Sequence, residues 1–204
     1  MRGTRETFAD LAALIRGRPA RFGAARLVAI DGPSGGGKTW FADRLAATLG
    51  ASVVHTDHLL DGWDDQFTFW ARLEREVLTP LRHGQVAEYR PYLWDEECFG
   101  GEPIRVEPAD VVLIEGVSSA RRVIRPELSL AVFVSAPPDL RWSRTLVRDG
   151  RDDVAFRAYL ERWRVAEDRH FAEDATAAYV DLVVDGSAEA SDRTYEQLWR
   201  RPPR

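Results

Sequence analysis

Gly32-Pro33-Ser34-Gly35-Gly36-Gly37-Lys38-Thr39 is the stretch that decides the reading of this chain. It fits the pattern G-x-x-x-x-G-K-[ST], in which glycines leave backbone N–H groups free to wrap a phosphate. Lys38 is the sole lysine in 204 residues, and the other 27 of the 28 basic side chains are arginine. A compact ammonium on a flexible stem reaches between phosphate oxygens, and a broad planar guanidinium does not replace it there. A lysine at this position alone points to nucleoside triphosphate binding. The chain contains no asparagine, so the Asn-Lys-x-Asp segment with which switch GTPases read guanine is absent. ATP is the expected nucleotide.

Outward from the loop, apolar β-branched runs at 27–30, 51–54, 111–114, 130–134 and 182–184 alternate with helical stretches. That is the pattern of a parallel sheet wrapped by helices. A helix is predicted over 39–49, where Phe41, Leu45 and Leu49 recur every four residues. Others are expected near 7–15, 139–148, 153–171 and 188–199, and the end at 200–204 reads as frayed. Residues 61–107 read as a long, mostly helical insertion rich in aromatics. No repeat or linker marks a second domain. The expected fold is α/β: one P-loop NTPase domain over 1–204, with a five-stranded parallel sheet and helices on both faces. The glycine loop, Asp57 and Glu115 each follow a strand end, the edge where open α/β sheets bind ligands.

The net charge of −5 offers no basic face for nucleic acid. A single cysteine, Cys98, excludes an intramolecular disulfide and fits a reducing cytosol. No apolar run is long enough for a signal peptide or a membrane span. The expectation is a soluble cytoplasmic protein whose partner is a small molecule, neither nucleic acid nor membrane. Oligomeric state is not legible in the sequence.

The candidate ATP-binding residues are Gly32, Ser34, Gly35, Gly36, Gly37, Lys38, Thr39 and Trp40, with Thr39 supplying a hydroxyl to Mg²⁺. Glu115 ends a run of four apolar residues and reads as a Mg²⁺ ligand or a holder of a substrate hydroxyl. Asp57 can take the proton of an attacking hydroxyl, a helix-cap role being the alternative. His55 and His58 read as its packing or hydrogen-bonding neighbours. Arg141, Arg144 and Arg148, at spacings of three and four, share a helix face. With Arg151 they suggest a lid over about 141–153 that closes on ATP, and Arg144 is the one expected to touch phosphate. Tyr92 and Trp94 follow Pro91 in a predicted loop and are the candidates for stacking on a planar acceptor. Trp63 and Trp70 read as insertion core, and Trp163, Glu167 and Asp168 as packing and salt bridges.

Together with the glycine loop, Thr56-Asp57-His58, Arg90-Pro91-Tyr92, Ile114-Glu115-Gly116 and the run from Asp139 to Asp149 carry a resemblance. Over about 26–186 the chain resembles the uridine kinase–phosphoribulokinase group of P-loop kinases. The resemblance implies a Mg·ATP-dependent kinase with Asp57 as catalytic base, and with Glu115 and Gly116 in the active site. It also implies that Arg141, Arg144 and Arg148 belong to an ATP-binding lid, and that a nucleoside gives a 5′-monophosphate. Two departures concern the acceptor and the lid. Uridine kinases tend to read Tyr-Asp and then a base-contacting histidine, whereas Tyr92 is followed by Leu93-Trp94-Asp95 and the next histidine is His170. The lid is also short, turning at Asp149-Gly150-Arg151. A uridine- or cytidine-like nucleoside is the first expectation for the acceptor. A nucleoside monophosphate, a sugar or an antibiotic is the alternative, and an ATP-binding regulatory module without acceptor lies outside the enzyme class.

Overall fold

A computed structural model describes residues 3–150, 153–188 and 191–201; Arg151 lies outside them. The chain opens with β1 (Thr4–Thr7), α1 (Phe8–Gly17), β2 (Arg26–Asp31), α2 (Lys38–Leu49) and β3 (Ser52–His55). The insertion holds α3 (Trp70–Leu73), which runs through a π-helical turn into α4 (Thr79–Arg82). Four short strands follow: β4 (Ala87–Tyr89), β5 (Tyr92–Leu93), β6 (Cys98–Phe99) and β7 (Ile104–Val106). Then come β8 (Val111–Glu115), β9 (Leu128–Ser135), α5 (Pro138–Asp149), α6 (Val154–Asp174) and α7 (Thr176–Tyr179). The chain closes with β10 (Leu182–Asp185) and β11 (Thr194–Arg200). No helix among the described residues is long and apolar enough to cross a membrane.

The main sheet has the order β1-β11-β10-β9-β2-β8-β3. Its members from β10 to β3 are the five parallel strands expected, and β11 and β1 extend it as antiparallel edge strands. Alternation along β2 builds both halves of the core. Val28 and Ile30 pack with Phe8, Leu11 and Ile15 of α1 and Phe41 and Leu45 of α2. Leu27 and Ala29 face the other way, onto Leu73, Val77 and Leu78 of the insertion. Thr7 caps α1, accepting the Asp10 N–H at 3.0 Å.

Two expectations fail. The helix predicted at 188–199 is, from Thr194 onward, the strand β11, and Arg200 is paired in it rather than frayed. Tyr195 decides this: its ring is buried 5.3 Å from both Phe8 and Phe41, which a strand between β1 and β10 allows. The insertion is helical only in its first half. After Gly84 and Gln85, residues 87–106 form two small antiparallel ladders, β4 with β7 and β5 with β6, where Pro91, Gly100, Gly101 and Pro103 break helical continuity.

Candidate active site

The five parallel strands end at one edge, at Asp31, His55, Glu115, Ser135 and Asp185, and the loops beyond them enclose a cleft of about 850 Å³. Two close backbone approaches fix its floor. A Cβ on Gly116, whose φ is +143°, would stand 1.7 Å from Thr56 Oγ1, so β8 leaves the sheet hard against the turn carrying Asp57. A Cβ on Gly186 would stand 1.8 Å from the Gly36 carbonyl, so the exit of β10 presses on the glycine loop.

The loop is held at several points. Asp31, fully buried, accepts the Gly32 and Ser118 N–H groups on Oδ1 and the Ala120 N–H on Oδ2, at 2.7 to 2.9 Å. Burial pushes its pKa up to about 6, against the pull of those N–H groups and Lys38. Arg144 Nη1 donates to the carbonyls of Gly35 and Gly186, at 3.2 and 2.9 Å. Glu167, buried on α6, accepts the Ser34 N–H at 3.0 Å, the Ser34 hydroxyl, and the Trp163 indole N–H at 2.8 Å. Lys38 Nζ rests on the Pro33 carbonyl at 3.2 Å, within its own loop. The N-terminus of α2 follows Gly37 with neither a side-chain cap nor an acidic residue in its first turn. An uncompensated helix N-terminus behind a glycine cradle suits an anionic phosphate.

Across the cleft, Asp57 lies in the short 3₁₀ turn Thr56–Leu59 after β3. It caps nothing, because the cap position is His55 and carries no side-chain bond. Its carboxylate lines the cleft. Glu115, buried, pairs its Oε2 with His55 Nδ1 at 2.8 Å, and that hydrogen bond holds the His55 pKa above its ordinary value. His58 goes the other way, lowered by burial. Thr39, Asp57 and Glu115 all line the cleft, and their oxygens are of the kind that fits Mg²⁺.

The structure brings Ser34, Gly35, Gly37, Lys38, Thr39, Trp40, Asp57, Trp94, Glu115, Arg144 and Arg148 to this one cleft. Four candidates do not line it: Gly32 and Gly36 of the loop itself, Arg141 and Tyr92. Arg141 turns its Nε to the Ala136 carbonyl at 3.1 Å, so the three arginines of α5 do not act as one face. Tyr92 is buried, with its ring 5.1 Å from Trp94 and 5.3 Å from Phe99. It supports the wall and does not form it. Sequence reasoning missed Asp31 altogether, assigned Trp63 to the core, and read Glu167 as a salt bridge. Trp63 lines the cleft, with ring contacts to Trp94, Tyr159 and Trp163 at 4.8 to 5.5 Å. The signal that could have found Asp31 was its place, the last residue of the strand feeding the glycine loop.

A phosphate cradle at the head of β2, facing a carboxylate at the head of β3, defines a P-loop phosphotransferase. The sequence profile of the Phosphoribulokinase / Uridine kinase family matches residues 63–168, just over half of the chain. The chain belongs to that family. The uridine kinase of Staphylococcus aureus is 26% identical over 183 residues, covering 79% of this chain and 87% of its own. That of Staphylococcus haemolyticus is 29% identical over 143 residues, covering 62% and 69%. The solved structure of a possible uridine kinase from Bacillus stearothermophilus aligns with a TM-score of 0.63 at 19% identity, over 86% of this chain and 96% of that one. At that identity the likeness is one of fold. The protein is an ATP-dependent kinase of small molecules.

Proposed function

We propose that this kinase phosphorylates a nucleoside of the uridine or cytidine kind, with Asp57 as the base. The observation that carries the reading is the makeup of the acceptor half of the cleft. Trp63, Trp94 and Trp163 give it aromatic walls, and Asp57, Asp95, Glu97 and Glu115 line it with carboxylates. Segments 57–66 and 94–97, which supply most of that half, contain no lysine or arginine. Flat rings suit a planar acceptor, and a lining in which carboxylates outnumber cations repels one that already bears phosphate. That disfavours nucleoside monophosphates and sugar phosphates.

In this reading Asp57 draws the proton from the acceptor's primary hydroxyl as its oxygen attacks the γ-phosphorus in line, and the bond to ADP breaks. Lys38 leaves the Pro33 carbonyl for the phosphates, where its charge meets that of the transferring group. Arg144, already on the loop, adds positive charge there, and Arg148, one turn further along α5, would do so on leaving its pair with Asp149. His55 holds Glu115 in one orientation through their shared hydrogen bond. Thr39 and Glu115 would hold Mg²⁺, which would supply positive charge against the phosphates of ATP.

The test is ADP release from Mg·ATP over a panel of nucleosides, nucleoside monophosphates, sugars and hydroxylated antibiotics. Stimulation by uridine or cytidine, without stimulation by their monophosphates, is expected. Response only to a non-nucleoside alcohol would keep the kinase and discard the nucleoside.

A further inference from the structure

We propose that Gln66 reads the acceptor's ring, its side-chain amide pairing with the carbonyl edge of a pyrimidine. The inference rests on the nucleoside reading above and goes past it to a residue and an edge. Gln66 follows the turn Trp63–Asp65 and is only 6% exposed. Its Nε2 is buried without a hydrogen-bond partner among the described residues. Ten described side chains carry such an atom, and of these Gln66 alone lines the cleft. A buried amide N–H₂ without an acceptor is costly, and native structures rarely tolerate one unless something outside the chain completes it.

The missing partner is an acceptor oxygen, and the surroundings indicate what carries it. Trp63 and Trp94, from the same wall, favour a flat ligand, and a ring carbonyl places its lone pairs in the ring plane. The amide of Gln66 also has Oε1 to offer, so it can donate to a carbonyl and accept from the adjacent ring N–H. The uracil edge presents that pair. Rotation of the amide by half a turn presents the complementary pair to cytosine, which has a ring nitrogen acceptor beside an amino donor. Gln66 thus supplies ring recognition where no histidine is found between residues 93 and 169, and it accommodates both pyrimidines.

The experiment compares wild type, Gln66→Leu and Gln66→Glu by kcat and KM for uridine, cytidine and ATP, with Tm recorded for each. Gln66→Leu is expected to raise KM about tenfold for both nucleosides while kcat and the KM for ATP stay near wild type, the pattern of a lost binding contact. Gln66→Glu, which can only accept, keeps one contact and loses the other with either ring, and is expected to raise KM at least tenfold for uridine and cytidine alike while the KM for ATP stays near wild type. Nucleoside kinetics unchanged in both variants would overturn the inference and leave the nucleoside reading intact. So would a loss spread equally over ATP and nucleosides with a lowered Tm, the mark of a structural role. No nucleoside turnover by wild type would remove the nucleoside reading and this inference with it.

Discussion

Asp31 is a carboxylate the fold buries completely and then surrounds with backbone N–H groups from Gly32, Ser118 and Ala120. Burial outweighs those donors and raises its pKa from 3.8 to about 6. Between these values the folded chain keeps a proton that the unfolded chain has lost, so this group's contribution to stability falls as pH rises from about 4 to 6. The full cost above that window is about 3 kcal/mol, from two pKa units at 1.36 kcal/mol each. Asp31→Asn removes the titration. Urea unfolding across pH 4 to 7 should show the variant gaining on wild type through that window, and a pH-independent difference would contradict the shift. Single residues were unevenly legible. Lys38 and Asp57 announce themselves by motif and strand end. Aromatic residues do not: Trp63, Tyr92 and Trp94 look alike in a sequence, and only the fold turns Trp63 and Trp94 to the cleft and Tyr92 away from it.

The same division holds for elements. The β2 strand, the glycine loop and α2 were readable because one apolar period of two passes into another of about four across a fixed motif. The β11 segment was not, because Tyr195, Leu198 and Trp199 stand at helical spacing, and pairing with β1 and β10 overrides it. Helix α6 was placed correctly while its purpose was missed, since nothing in a sequence reveals which loop a distant glutamate will meet. Through Glu167 this helix is latched to Ser34 of the glycine loop. Glu167→Ala leaves the Ser34 N–H without its acceptor, while the Trp163 indole keeps the Ser34 hydroxyl at 3.1 Å, a loss of about 1–3 kcal/mol. Part of that should appear as looser loop geometry, with ATP Kd rising roughly tenfold. Unchanged ATP affinity in a direct titration would limit Glu167 to packing.

At the scale of the whole molecule, a chain of net charge −5 brings Lys38, Arg144 and Arg148 into one cleft, among carboxylates and aromatic rings. The phosphate loop follows β2 and Asp57 follows β3, so the sheet itself sets the span between them. The central proposal is that Asp57 takes the acceptor's proton. The most direct test is Asp57→Asn, assayed for ATP binding and for phosphoryl transfer to the best acceptor from the panel. The side chain keeps its size but loses its basicity. The expected result is ATP affinity within a few-fold of wild type and transfer reduced by roughly 10²–10⁴-fold, the usual contribution of a positioned base. Transfer within a few-fold of wild type would contradict the account.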